Sequence, residues 1–205
     1  KFENRIRLIR NKSIGTLIHN KEQSVTWLGS TLEKNLNECF LGKVNSYNND
    51  TCQSYCNSYY SSTYDTKAKC DYSKYGIATS DEAYDMITDN IYWNVATHVN
   101  STECKDQYEN EYTLQTSEPV KIGILYASDY SCASGGTASQ RWLFTAGFEH
   151  TMSAYNSTSF VRIHRTGDYG AVSLTTGYSV RPTLYLETNV YVISGDGSES
   201  DPYKI

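Results

Sequence analysis

The sequence predicts a single α+β domain, in which an antiparallel sheet packs with two main helices. Residues 120–205 contain short apolar segments separated by turn-forming residues, which is typical of consecutive strands. Two capping-box pairs, Ser30 with Glu33 and Thr79 with Glu82, mark the predicted starts of the helices. A chain of 205 residues is long enough for one domain with a substantial core.

The N-terminal part predicts a hairpin followed by the first helix. Residues 5–10 alternate apolar and basic side chains, as a strand with one buried face does, and residues 13–18 are expected to return beside them. Trp27 precedes the helix cap and is expected to anchor the helix to the core. The predicted buried stripe of this helix is Leu32, Leu36, Cys39 and Phe40. The expected inward-facing residues of the second helix are Ala83, Met86 and Ile87.

The C-terminal part predicts the β-rich core. Residues 120–126 form an apolar segment that we expect to be a central strand, and Ser128 is expected to cap a helical turn after it. Gly167 and Gly170 are interpreted as turns. The further predicted strands are 142–145, 160–163, 171–174, 180–186 and 190–193.

Residues 45–117 form a polar, Cys- and Tyr-rich insertion with few aliphatic side chains, so disulfides are expected to stabilise it. The chain has an even number of cysteines, which are Cys39, Cys52, Cys56, Cys70, Cys104 and Cys132. We expect Cys104 to pair with Cys132 and the first four to pair among themselves, with their three possible pairings open. The first four could instead bind zinc, but Cys-x-x-x-Cys without a second close pair is a poor match to zinc-finger spacing.

Composition indicates an exported protein. Only 20% of the residues are charged, and Tyr, Ser and Asn are abundant, which together with the cysteines favours an extracellular or cell-surface location. Asn-x-Ser/Thr sites begin at Asn11, Asn49, Asn100 and Asn156. Because the sequence starts at Lys1 and no signal peptide is visible, we expect a removed leader or a start within a longer protein.

Charge and hydropathy exclude two classes of partner. The net charge of −5 has no basic blocks, which argues against nucleic-acid binding. No apolar run approaches the roughly 18 residues that a membrane-spanning helix needs, so we expect no membrane insertion.

Motifs for catalysis and metal binding are weak. The sequence lacks a Gly-x-Ser-x-Gly elbow, and no Cys has a recognisable nucleophile context, although His98, His150 and His164 are present. The sugar-binding triplets Glu-Pro-Asn and Gln-Pro-Asp, which use calcium, are absent. Asp196, Glu199 and Asp201 are interpreted as a solvated turn, with a hard-cation site as the alternative. We therefore predict no enzyme activity, no cofactor and no metal.

Several segments, in the same order, resemble a group of exported surface proteins of Firmicutes and related gut bacteria. The matching segments are Trp27 with 30–37, 121–130 with Ala133, 142–144, 151–153, 178–186, 194–197 and 201–205. The resemblance covers nearly the whole chain and is most specific over 120–205. Some members carry a prepilin-type N-terminal helix, which is absent here, and His150 stands where the group usually has Trp.

This resemblance implies a C-type-lectin-like fold, in the branch that includes formylglycine-generating enzymes and diversified receptor proteins. The activity of those enzymes requires redox cysteines in the C-terminal core, and no Cys follows Cys132. The resemblance also implies that residues 148–178 form an exposed sheet edge and loops used for binding.

Tyr, Arg, His and Asn are concentrated in that region, as they are in antibody paratopes. The predicted ligand-binding residues are Glu149, His150, Tyr155, Asn156, Arg162, His164, Arg165, Asp168, Tyr169 and Tyr178. The alternative is that they form the outward face of a sheet and contact only water. Arg181, between Val180 and an apolar strand, is instead expected to form a buried structural ion pair.

The predicted function is non-catalytic recognition or adhesion at a bacterial cell surface, with pilus display as in some relatives. The expected ligand is a protein or a glycan on a host or neighbouring cell. The alternative is a structural subunit that binds copies of itself in a filament, by strand addition through residues 2–10 and 202–205. An enzyme is the third hypothesis.

Overall fold

A computed structural model describes residues 5–22, 24–45, 49–56, 72–93, 95, 97, 106, 118–133, 143, 147–196, 200–201 and 204. These residues confirm the α+β class, with two sheets and short helices. The strands are β1 (Arg7–Ile9), β2 (Thr16–Leu17), β3 (Ile122–Gly123), β4 (Glu149–Asn156), β5 (Ser159–Ile163), β6 (Tyr169–Ser173), β7 (Tyr178–Ser179) and β8 (Thr183–Tyr185). The α-helices are α1 (Thr31–Lys34), α2 (Asp50–Cys56), α3 (Glu82–Asp85) and α4 (Ala127–Ser131).

The first sheet has the order β1-β8-β3 and is antiparallel. The expected central strand over 120–126 is wrong, because only Ile122–Gly123 is a strand and it lies at the edge. Asn37 occupies the outer side of that edge. Its Oδ1 accepts from the Ile122 N–H at 2.9 Å, and its Nδ2 donates to the Ile122 carbonyl at 3.0 Å. A side chain thus takes the place of another strand.

The second sheet has the order β2-β7-β4-β5-β6 and carries the predicted site. Strands β4, β5 and β6 form an antiparallel meander, while β4 and β7 are parallel at Glu149 and Ser179. Gly167 lies in a turn with a φ of 86°, as predicted. Gly170 does not, since it lies within β6 opposite Arg162.

The predicted N-terminal hairpin is wrong. Strand β1 pairs with β8 in the first sheet, and β2 pairs with β7 in the second. Between these pairs, the Ile14 N–H donates to the Val180 carbonyl at 2.9 Å and the Arg10 N–H to the Pro182 carbonyl at 3.0 Å. The N-terminal segment therefore runs antiparallel to residues 178–186 and crosses with them from one sheet to the other.

The first helix begins as predicted and then changes its winding. The Ser30 Oγ accepts from the Glu33 N–H at 3.1 Å, while the Glu33 carboxylate accepts from the Gly29 N–H at 3.2 Å. After α1 the chain continues as a π-helical turn (Asn35–Cys39) and a 3-10 turn (Phe40–Gly42). All four residues of the predicted stripe are buried, and so is Trp27.

The other helix starts differ from the prediction. Asp81, rather than Thr79, is the N-cap of α3, and the Asp81 carboxylate accepts from the Ala78 N–H at 2.9 Å. In α4 the N-cap is Tyr126 rather than Ser128. The Asp129 carboxylate accepts from the Tyr126 N–H at 2.8 Å and also binds Arg7, so this helix start is joined to β1.

The polar insertion uses a tyrosine where an aliphatic side chain is lacking. Tyr72 is fully buried, packs edge-on against Phe40 with ring centroids 5.6 Å apart, and donates its hydroxyl to the Asn35 Oδ1 at 2.5 Å. Burial raises the pKa of Tyr72, so the phenol stays protonated and remains a donor.

A disulfide between Cys39 and Cys52 joins the π-helical turn to α2. Cys132 is also disulfide-bonded. The partner sulfur of Cys132 lies outside the described residues. The side chain of Cys56 and the whole of Cys70 and Cys104 lie outside them as well. The predicted Cys104–Cys132 pairing therefore also lies outside them.

Two other predicted strands are not confirmed: the segment 142–145 lies mostly outside the described residues, and the segment 190–193 is not a strand. Of residues 142–145 only Leu143 is described, and it is buried. Residues 190–193 are not a strand, and the side chains of Tyr191 and Ile193 are exposed. None of the helices in the described part of the chain is long and apolar enough to span a membrane.

Replacing both Cys39 and Cys52 by Ser is expected to lower the free energy of unfolding by about 3 kcal/mol, because the bond closes a loop with a sequence separation of 13. Urea unfolding without reductant measures the difference. Gln53→Ala, an exposed change in the same helix, is the control. A double variant within about 0.5 kcal/mol of the parent would show that the bond does not stabilise the fold.

Candidate functional site

The ten predicted ligand-binding residues are divided between the two faces of the second sheet. Strands β4, β5 and β6 pair in register, so each residue of one strand has a neighbour on the next. One such set lies on one face of the sheet and consists of Glu149, Ile163 and Tyr169. His150, Arg162 and Gly170 are the next set along the strands, on the other face. The structure therefore separates residues that the sequence placed in one site.

The face that carries Glu149 is directed into the protein. Glu149 is buried and accepts two hydrogen bonds from Arg181, from Nε at 2.6 Å and from Nη2 at 2.9 Å. The Arg181 Nη2 also donates to the Leu143 carbonyl at 2.9 Å, which confirms the predicted structural role of this arginine. Tyr169 lies on the same face, where its ring packs edge-on against Tyr130. Glu149 is therefore not exposed to a ligand, and Tyr169 is half-buried on the face opposite Arg162.

Burial raises the pKa of Glu149, and the two hydrogen bonds and the charge of Arg181 oppose that rise. The pKa is raised because the carboxylate is completely removed from water, which disfavours its charged form. Without Arg181 a buried carboxylate would have no cationic partner, which is among the most destabilising situations in a core.

On the opposite face, five side chains form a cationic and aromatic cluster at one end of the strands. We name it the Phe148 platform, and it consists of Phe148, Arg162, His164, Arg165 and Tyr178. Guanidinium carbons of Arg162 and Arg165 lie 5.0 Å and 5.1 Å from the centroid of the Phe148 ring. The His164 ring meets the same ring edge-on at 4.6 Å, and the Tyr178 ring lies 5.6 Å away. Arg165 is exposed, and Arg162, His164 and Tyr178 are partly exposed.

Arg162 lies against two aromatic side chains of this platform. Its guanidinium carbon also lies 5.7 Å from the centroid of the Tyr178 ring, so it contacts two aromatic side chains. On the neighbouring strand, a Cβ placed at Gly170 would lie only 3.2 Å from the Arg162 Nη2. The absence of a side chain at Gly170 therefore gives the guanidinium its space.

His150 is buried beneath the platform rather than exposed, and it forms a pair with His19. The ring centroids of the two histidines are 6.3 Å apart, and His150 also meets the Tyr178 ring edge-on at 5.4 Å. The Nε2 of His150 lies 3.1 Å from the Thr176 carbonyl, and the Nε2 of His19 lies 3.1 Å from the Thr26 carbonyl. Since carbonyls only accept, each Nε2 carries the proton.

Burial keeps both histidines neutral. It lowers the pKa of His19 to about 3, with the charge of His150 as a second cause, and lowers the pKa of His150 to about 4. The hydrogen bonds to backbone carbonyls oppose these shifts. The two rings are thus part of the core near neutral pH.

The remaining predicted residues lie apart from the platform or support its turn. Tyr155, which is 54% exposed, and Asn156 are at the far end of β4, roughly 22–27 Å along the strand from Phe148. The Asn156 Oδ1 accepts from the Thr158 N–H at 2.9 Å and shapes the β4–β5 turn. Asp168 accepts from the Thr166 hydroxyl at 2.9 Å, and the same hydroxyl lies 2.7 Å from the His164 Nδ1.

Sequence reasoning missed the residue at the centre of the platform. Phe148 begins the predicted binding region but is not among the ten predicted residues, although Phe148 and His150 are two positions apart and so lie on one face of the strand. The same period of two places Arg162 and His164 together on β5 and its continuation. Applied to both segments, this pattern identifies most of the platform.

Within the described residues, no group of three His, Cys, Asp or Glu side chains is placed to hold a metal ion. In the C-terminal acidic segment the Asp196 N–H donates to the Asp201 carbonyl at 3.1 Å, and Glu199 lies outside the description.

Comparison of the chain with protein-family models, with curated proteins and with solved structures gave no significant match.

Arg181→Met is expected to lower the free energy of unfolding by about 3–5 kcal/mol, because it leaves the Glu149 carboxylate buried without its partner. The double variant Glu149→Leu/Arg181→Met should recover most of this loss. Urea unfolding of both single variants and the double variant gives the coupling free energy.

Lys43→Met is the matched control for this cycle. It removes the Lys43–Asp81 ion pair, in which the charged atoms are 3.8 Å apart and the side chains are 36% and 40% exposed. This variant should lower the free energy of unfolding by less than about 1 kcal/mol. Equal losses for Arg181→Met and Lys43→Met would contradict the structural role of the buried pair.

Acidification is expected to destabilise the protein between about pH 6.5 and pH 4. The folded-state pKa values of His19 and His150 lie below the unfolded value of 6.5, so the unfolded chain binds more protons in this range. Stability is therefore full above pH 6.5 and falls as the pH decreases, by about 1.4 kcal/mol per pH unit for each histidine.

Urea unfolding at several pH values, for the parent, His150→Gln and His164→Gln, measures this dependence. His150→Gln should reduce the slope, and His164→Gln, which changes a partly exposed ring outside the core, is the control. Identical slopes for all three proteins would show that the buried pair does not govern acid stability.

Proposed function

We propose that this chain is a non-catalytic recognition domain at a bacterial cell surface, and that it binds its ligand through the Phe148 platform. The observation that carries the proposal is a partly exposed pair of arginines stacked on one aromatic ring. Aromatic and arginine side chains dominate the energetics of recognition surfaces, because they present large, preorganised contact areas. The ligand is a protein or a glycan on a host or neighbouring cell.

Rigid support under the platform favours a binding role. Arg162 lies on a five-residue strand with neighbours on both sides, and His150 beneath it is buried. Binding groups on rigid strands keep their geometry and lose little conformational entropy when a ligand arrives. Tyr178 packs against Phe148 and His150 and connects the platform to this core.

The proposed architecture is C-type-lectin-like, and the proposed location is extracellular. The sequence resemblance motivates the first assignment, and the α+β arrangement with antiparallel sheets is compatible with it. The Cys39–Cys52 bond and the bonded state of Cys132 support the second, because disulfides persist in oxidising compartments.

A filament subunit is the second candidate. Within residues 2–10, the predicted donor strand, Arg7–Ile9 is hydrogen-bonded to β8 of the same chain, so donation would require β1 to leave its sheet. The observation that still favours assembly is the exposure of Tyr191 and Ile193, at 72% and 70%. This apolar segment, rather than β1, would then contact neighbouring copies.

Arg162→Ala is expected to abolish binding on arrays of glycans and host proteins that the parent recognises, while leaving the melting temperature within a few degrees. Tyr155→Ala is the matched control, since it removes an exposed aromatic side chain outside the platform. Equal loss in both variants, or none in Arg162→Ala, would contradict the assignment of the platform.

Light scattering and negative-stain electron microscopy of the parent separate the two candidates. We expect discrete monomers. Regular fibres that disappear in Tyr191→Ser/Ile193→Ser would instead support the filament subunit.

A further inference from the structure

His150 is connected to the Phe148 platform through Tyr178. The His150 ring meets the Tyr178 ring edge-on, with centroids 5.4 Å apart. The Tyr178 ring also lies 5.6 Å from the Phe148 ring and 5.7 Å from the guanidinium carbon of Arg162. One partly exposed side chain therefore contacts a buried titratable ring and two members of the platform.

The groups that face His150 from neighbouring elements include a cation and no carboxylate. On β5, Arg162 is the directly opposite residue on the same face of the sheet. The His19 ring, from the segment after β2, lies 6.3 Å away, and β7 contributes the neutral phenol of Tyr178. The adjacent carboxylate in the chain, that of Glu149, lies on the other face of β4 and is hydrogen-bonded to an arginine there. Among the described residues, no carboxylate forms an ion pair or hydrogen bond with His150.

A proton on His150 is therefore unfavourable while the ring stays in its place. The imidazolium would be removed from water beside the Arg162 guanidinium, without a negative charge to balance it. Burial lowers the pKa of His150 to about 4, although the backbone carbonyls of Thr176 and Leu17 oppose this shift. The charged ring becomes stable where it reaches water, and Tyr178 is the partly exposed side chain between it and the platform.

We propose that the contact between His150 and Tyr178 is an acid-sensitive latch of the Phe148 platform. Proton uptake by His150 moves the Tyr178 ring away from Phe148 and Arg162, while the rest of the fold stays intact. Arg162 then loses one of its two aromatic contacts, so the arrangement of the platform changes. Ligand release in acid is the consequence that rests on the proposed function, whereas the latch itself does not depend on a ligand.

The test is an NMR titration of the unliganded parent from pH 7.5 downward, which follows the ring signals of His150, Tyr178 and Phe148. The indole N–H of Trp93, which donates to the Val120 carbonyl at 3.0 Å, belongs to the main core and reports global unfolding. We expect the Tyr178 and Phe148 signals to change with the same midpoint as the His150 ring. That midpoint should lie at least about one pH unit above the loss of the Trp93 signal.

Three variants separate the latch from other titrations. His150→Gln cannot take up a proton, so the Tyr178 signals should not change above the pH of global unfolding. His164→Gln removes the other histidine ring that meets Phe148, and the Tyr178 change should persist in it. Tyr178→Ala removes the connection, so the Arg162 Nε–H signal should no longer follow the midpoint of His150.

The titration can overturn the latch in two ways. Tyr178 signals that change only together with the Trp93 signal would mean that the ring moves only when the whole domain unfolds. A Tyr178 change that remains in His150→Gln, or that disappears in His164→Gln, would assign the effect to another group.

The arrays of glycans and host proteins then separate the latch from the proposed function. After a wash at a pH between the two midpoints, the parent should lose its bound partners, and His150→Gln should keep them. Continued binding of the parent in this wash, together with a moved Tyr178 ring, leaves the latch intact and overturns the binding role of the platform. A Tyr178 ring that does not move overturns the latch, and Arg162→Ala at pH 7.5 still decides whether the platform binds.

Discussion

The buried ion pair between Glu149 and Arg181 connects the parts of this fold that carry the candidate site. Arg181 lies between β7 and β8, where the chain crosses from the second sheet to the first, and Glu149 is the first residue of β4. Both side chains are almost completely buried, so their two hydrogen bonds hold the start of β4 against this crossing. The N-terminal segment follows the same crossing on its other side, which makes it a junction of three chain segments.

This junction determines where the platform lies. Phe148 and His150 flank Glu149, and the alternation of a strand directs them to the face opposite the ion pair. His150 then becomes part of the core beneath Tyr178, while Phe148 receives the two arginines. A charged pair in the interior and a charged surface cluster are thus two consequences of one strand register, and a one-residue slip would exchange them.

Local signals in the sequence predicted the features that depend on near neighbours. The cap of α1 at Ser30 and the burial of its apolar stripe follow from contacts within a few residues. Long-range pairing was less accessible, because no local signal distinguishes a hairpin partner from a strand far along the chain. Residues 13–18 were expected beside residues 5–10, yet both segments pair with residues 178–186.

The sequence by itself determined the α+β class, the polar insertion and the region of 148–178 in which Arg, His and aromatic residues are concentrated, since all three depend on composition and periodicity. Only the tertiary structure decided which of those residues share a surface. Glu149 and Tyr169 turned inward, where Arg181 and Tyr130 contact them, and Arg162 was placed over Phe148 beside Gly170. The physical reason is that strand order and register, which are non-local, assign each side chain to the core or to the solvent.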